Sequence, residues 1–220
     1  MNTIAPVWDG NETWLVLGGG GLFAAFPLAY AILMPAFYAP LIAMLLGLIF
    51  RGVAFEYTAR SQTKRYLWEL AFALGSTVAA FCQGLILGTF IQGIEVEGRN
   101  YAGGWFDWLT PFSVTVGLGV VAAYTLLGLL WLIMKTKDEL QYDLYRFALP
   151  TATIVFAFVL IASIWTPLLD TDIKDRWFTW PSIAYLSRYR CLSRAAGHGF
   201  SPQFAKSARS NLFLLSLRYF

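Results

Sequence analysis

Charged residues are distributed so unevenly that they divide the chain into blocks. No charged side chain lies between Glu12 and Arg51, Glu69 and Glu95, Asp107 and Lys135, or Arg146 and Asp170. A bilayer crossing takes about 20 predominantly apolar residues, and each of these gaps reaches that length. The first gap is too long for one ordinary crossing, and Pro35 and Pro40 bracket a break in it, because proline disrupts a helix interior and biases its predecessor away from helix. The pattern therefore predicts five membrane helices, at 14–34, about 38–57, 68–93, 111–134 and 147–167, with short connections.

Composition agrees with that reading. Hydrophobic residues make up 58% of the 220 residues and charged ones 13%, about half the quarter usual in soluble domains. A globular core of this size cannot hide such an excess, so the fold class is all-α, a polytopic transmembrane helical bundle. Soluble enzyme, nucleic-acid binder and disordered tail are excluded as primary readings. The formal net charge of +3 belongs to the end of the chain. Up to Leu186 there are ten basic residues against thirteen acidic, whereas 187–220 holds six basic residues and no acid. Cys82 and Cys191 do not make a disulfide framework. The first dozen residues carry Asp9 and Glu12 and lack the basic and apolar regions of a secretory signal.

Loops 58–67 and 135–146 are richer in Lys and Arg than loops 94–110 and 168–180. The positive-inside rule places the two richer loops in the cytoplasm, and alternation puts the segment before the first helix there too. Trp14, Trp68, Trp105, Trp108 and Trp165 fall at expected helix ends, as the interfacial aromatic belt requires.

Within this frame the polar candidates are few. Arg51 and Glu56 lie in or at the end of the second expected helix, where a charge must snorkel, pair or line a polar cavity. Two readings stay open: Arg51 snorkels while Glu56 pairs with Arg60 at i+4, or Arg51 faces a buried acid, for which Asp9 is a candidate. Gly18–Gly21 lacks the Lys-Ser/Thr ending of a phosphate loop and is expected to serve close helix packing, as is the stripe Ala80, Gly84, Gly88. Gln83 is positioned to hydrogen-bond across helices. The one histidine, His198, lies in the basic tail. Only Met34, Met44, Met134 and Cys82 offer even weak haem ligands, and no arrangement for zinc or nucleophilic catalysis is present.

The stretches VWDGNETWLV (7–16), GGGGLFAAFPLAYA (18–31) and LIFRGVAFEY (48–57) resemble subunit II of cytochrome bd-type quinol oxidases. QGIEVEGRNYAGGWFDWLTPFS (92–113) and DRWFTWPSIAYL (175–186) resemble the cyanide-insensitive branch of that family. The resemblance runs from Met1 to Leu186. It implies a haem-free subunit in the bacterial inner membrane that scaffolds a haem-bearing subunit I. The implied complex oxidises quinol and reduces dioxygen to water, with haem b and haem d held by subunit I and no cofactor bound by this chain alone. It also implies that Asp9 of the motif formed by Trp8, Asp9, Gly10 and Asn11 stands at the cytoplasmic mouth of a proton path, with Arg51 and Glu56 in the family's second polar motif.

Two departures accompany the resemblance. The family pattern includes a helix ahead of the first motif and two more after the last, so the expectation is about five crossings of eight. The chain is then expected to comprise a subunit II-like helical domain, 1–186, and a basic tail outside the family pattern, 187–220, read as a shifted reading frame. The rival readings are a non-functional remnant and a membrane transporter or channel; the latter usually shows internal repeats, and none is found.

Overall fold

The computed structural model describes residues 8–60 and 65–169, the side chains of 8–12, 59 and 138 excepted. The chain divides into two units, Met1–Thr166 and Pro167–Phe220. Of the second, the described residues comprise only the end of the last helix. The expected boundary at Leu186 therefore lies outside the described residues.

Among the described residues, six helices and one short hairpin follow in order: α1 Trp8–Ala25, α2 Pro27–Ala36, α3 Tyr38–Arg60, α4 Arg65–Gln92, β1 Val96–Glu97, β2 Asn100–Tyr101, α5 Pro111–Lys135 and α6 Asp138–Leu169. Among the described residues, four stretches are long and apolar enough to cross a membrane: Tyr38–Thr58, Arg65–Gln92, Pro111–Lys135 and Glu139–Leu169. Large apolar side chains such as Leu127, Phe156 and Ile164 stand exposed along them, a surface that suits lipid rather than water. The fold is an all-α membrane bundle.

The helix expected over 14–34 is interrupted. Phe26 leaves the helical region (φ −133°, ψ 63°) because Pro27 has no N–H and crowds the residue before it. Hydrogen bonds from Phe26 N–H to Leu22 O at 2.9 Å and from Tyr30 N–H to Phe26 O at 3.0 Å hold the ladder on either side, so the break costs one residue. The break expected between Pro35 and Pro40 is present: Pro35 is accommodated inside α2, and the chain turns after it at Phe37. Pro40 falls in the first turn of α3, where a missing N–H leaves no helical bond unmade. The stretch 135–146, expected to be a loop, is mostly helix: α6 begins at Asp138 and carries Arg146 on a polar first part.

Glycines determine how closely the long helices approach. A Cβ on Gly75 would lie 2.5 Å from Gly47 O and 3.1 Å from Arg51 N, fixing the α3–α4 crossing. On α4, Gly84 faces Gly117 of α5 and Gly88 faces Ser113. The partner's number falls as the α4 number rises, so α4 and α5 are antiparallel. These contacts match the expected small-residue stripe. In lipid such packing, rather than exclusion of water, holds helices together. A Cβ at any of Gly18–Gly21 would meet nothing within 4 Å among the described residues, so within that part of the chain they do not make the close contacts of the α4 stripe. The core proper is small, with Met44, Ala79 and Cys82 buried together and Leu15, Leu41 and Leu48 packed against them. Phe158 lies over Gly119, and Trp165 meets Phe112 edge-on, which seats α6 on α5.

Candidate functional site

Two polar regions interrupt the apolar bundle. The first is a crevice of about 360 Å³ lined by Leu15 of α1, Leu48 and Arg51 of α3, Ser76, Ala79, Ala80 and Gln83 of α4, and Tyr124 of α5. Arg51 precedes the end of α3 by nine residues, roughly 14 Å along the axis at 1.5 Å per residue, so its charge stands inside the span. The tight Gly47–Gly75 crossing sets its backbone against α4. Tyr124 donates to Gln83 Oε1 at 3.0 Å, bridging α5 and α4 as expected for Gln83.

Of the sequence-derived acids, Glu56 is placed apart from the Arg51 crevice. Glu56 takes the i+4 partner: Arg60 Nη2 lies 2.5 Å from Glu56 Oε1, and both side chains are exposed. The ion pair is thus a surface pair, of a kind that contributes little. Arg51 lines the crevice and Glu56 does not. Trp8, Asp9, Gly10 and Asn11 form the opening of α1, but their side chains lie outside the described residues.

The second region caps the opposite ends of the helices. Thr110 caps α5: its Oγ1 accepts from Ser113 N–H at 3.1 Å, and Ser113 Oγ accepts from Thr110 N–H at 3.0 Å, a capping box built with serine. Thr110 also donates to Gln92 Oε1, and Thr89 donates to Trp108 O at 3.1 Å, tying the loop to the end of α4. Asp107 accepts from Gly104 N–H at 2.6 Å and from Tyr101 Oη at 3.0 Å. Burial, the hydrogen bond to Asp107 and the negative charges of Asp107 and Glu95 hold the Tyr101 phenol above its ordinary range.

A family model described as cytochrome bd terminal oxidase subunit II matches residues 1–217. The chain belongs to the cytochrome bd terminal oxidase subunit II family. The match continues past Leu186, where the motif resemblance ends. Among curated relatives, "Probable cytochrome oxidase subunit 2" of Haemophilus influenzae is 37% identical over 174 residues, covering 75% of this chain and 46% of the relative. "Cytochrome bd-I ubiquinol oxidase subunit 2" of Escherichia coli K12 is 33% identical over 172 residues, covering 75% and 45%. "Cytochrome bd ubiquinol oxidase subunit 2" of Bacillus subtilis is 32% identical over 163 residues, covering 73% and 48%. The chain thus spans about half the length of the curated relatives it matches.

Haem, which a cytochrome bd family implies for the complex, finds a poor donor set in the described residues of this subunit II chain. Haem iron takes one or two axial ligands; the described residues include no histidine, and Met34 is half-buried at the end of α2. Met44 and Cys82 are packed into one apolar cluster with Ala79, and Met134 is exposed. Ser76 and Tyr124 are site residues that sequence reasoning missed. The available signal was the spacing of Ser76, Ala80 and Gln83 at i, i+4 and i+7, which stacks them on one face of α4.

Proposed function

We propose that this chain serves as the haem-free subunit II of a bd-type quinol:oxygen oxidoreductase in the bacterial inner membrane. In that complex it scaffolds the haem-bearing subunit I, which holds haem b and haem d. Quinol oxidation and the reduction of dioxygen to water take place on that partner, and this chain supplies packing surface and a polar approach for protons. The observation that carries the reading, beside family membership, is a charged and polar crevice inside an otherwise apolar bundle, since an arginine within a membrane span marks a functional site by default. Asp9 and Arg51 are assigned to the cytoplasmic side of that approach, with Glu56 flanking it in its surface pair with Arg60. The basic residues of loops 58–67 and 135–146 support the same orientation.

Co-expression with a haem-bearing subunit I in an oxidase-deficient bacterium tests the assignment. The expected result is co-purification of the two chains with haem d absorbance and quinol-dependent oxygen uptake. A stable membrane chain that never co-purifies with subunit I, in cells where subunit I acquires its haems regardless, would refute it.

A further inference from the structure

Ser76 Oγ is buried and has no hydrogen-bond partner among the described residues. Its neighbour Thr77 donates to Ala73 O at 2.8 Å, and Thr58 makes the same bond to Ala54 O. That back-bond is the ordinary way to satisfy a helix hydroxyl where no water is at hand. A buried hydroxyl that forgoes it needs a partner from the space it faces.

That space is the crevice shared with Arg51, Gln83 and Tyr124. Gln83 uses its carbonyl oxygen for Tyr124, which leaves two amide N–H donors beyond that bond. At ~30 Å³ per molecule, a volume of about 360 Å³ has room for on the order of ten waters. A lipid tail would fit the volume yet satisfy neither the hydroxyl nor the amide. Water, both donor and acceptor, answers every polar group on the wall.

We propose that the crevice is a water site, held by the buried Ser76 Oγ, the Gln83 amide and, at its open side, the Tyr124 hydroxyl, beside Arg51. Ser76 and Gln83 are then water-positioning residues. The proposal deepens the reading of a polar proton approach, because ordered water supplies the relay that Leu15, Leu48 and Ala79 do not. Its existence does not depend on that use.

The test is labelling of single cysteines in the full chain in membranes, in a Cys82→Ala, Cys191→Ala background. Ser76→Cys and Ala80→Cys sit on the crevice, and Thr77→Cys sits on the exposed side of the same helix. With a small charged methanethiosulfonate, Ser76→Cys and Ala80→Cys are expected to react at least ten times faster than Thr77→Cys. If Ser76→Cys fails to accumulate, Ala80→Cys carries the comparison. Equal rates at crevice and lipid positions would overturn the proposal, as would reaction of the crevice cysteines with uncharged N-ethylmaleimide alone. Labelling reads water access and not turnover, so its failure and the failure of the proton-path assignment are separate results.

Discussion

Gly84 of α4 and Gly117 of α5 are in backbone contact: a Cβ built on Gly84 would lie 2.5 Å from Gly117 Cα and 3.0 Å from Val116 O. Backbone atoms cannot swing aside as a side-chain end can, so even one added methyl must push the helices apart. Gly84→Ala is expected to destabilise the bundle by about 1–3 kcal/mol, the usual cost of overpacking. Gly19→Ala, where the added Cβ meets nothing within 4 Å, is expected to leave the fold unchanged. Thermal unfolding in detergent compares them, and a Gly84→Ala protein as stable as Gly19→Ala would rule out so close a crossing.

The start of α5 offers a second check. Thr110 and Ser113 exchange backbone-to-side-chain hydrogen bonds, and Pro111 occupies the first helical position where its missing N–H has no cost. Thr110→Ala should cost about 1 kcal/mol, and Thr110→Ser should recover most of it. The loss is expected to be larger than for Thr115→Ala, whose hydroxyl only bonds back to Pro111 O on an exposed face.

Tyr101 gives the hairpin loop a pH dependence. Its phenol is held neutral by burial and by the acids around it, so its folded-state pKa lies above the unfolded value. A phenol bound to a carboxylate donates only while protonated. The stabilisation is therefore fully present below the ordinary tyrosine pKa, about 10, and is lost as pH rises through the raised folded value. In the difference absorbance between wild type and Tyr101→Phe, tyrosinate is expected to form above pH ~10. A difference transition at or below the ordinary value would contradict the Tyr101–Asp107 bond.

Much of this arrangement was legible in the spacing of charges, and the reasons for the exceptions are local. Four apolar gaps located the long helices because a bilayer tolerates few unpaired charges at depth. The length of the first gap calls for one break, which Pro35 and Pro40 bracket and the turn at Phe37 supplies; the second, at Phe26, is set by Pro27, which removes an N–H just as they do. The polar stretch 138–146 read as loop, yet it continues a helix whose apolar part begins later. Arg51 was legible as a charge within a span. Its crevice was not, because Ser76, Gln83 and Tyr124 come from two helices and only the α4–α5 crossing brings them together. Gly18–Gly21 resembled the Ala80–Gly88 stripe in composition, but only the latter has helix α5 against it.

Replacing Arg51 removes the guanidinium from the crevice wall. Arg51→Leu is expected to reduce the yield of assembled complex severalfold, because whatever the guanidinium holds is left in a low-dielectric surrounding. Arg51→Lys should recover part of the yield, since a point charge replaces a planar fork. Normal yield and normal turnover for Arg51→Leu would assign Arg51 to snorkelling alone.

Asp9 is the acid of the first motif and lies at the opening of α1. Leu15, six residues on, lines the Arg51 crevice, which puts the motif within two turns of it. Asn matches Asp in size and shape but neither carries a charge nor exchanges a proton near neutral pH. Under the proton-path assignment, Asp9→Asn in the assembled complex should slow oxygen reduction at least tenfold while leaving the haem spectrum intact, and Asp9→Glu should restore part of the rate. A purely structural role predicts the opposite division: less complex recovered, but unchanged turnover per haem in what assembles. Oxygen uptake and proton uptake, each normalised to haem d absorbance, separate the two. Unchanged values of both in Asp9→Asn would remove Asp9 from the path and leave the crevice without an acid at its mouth.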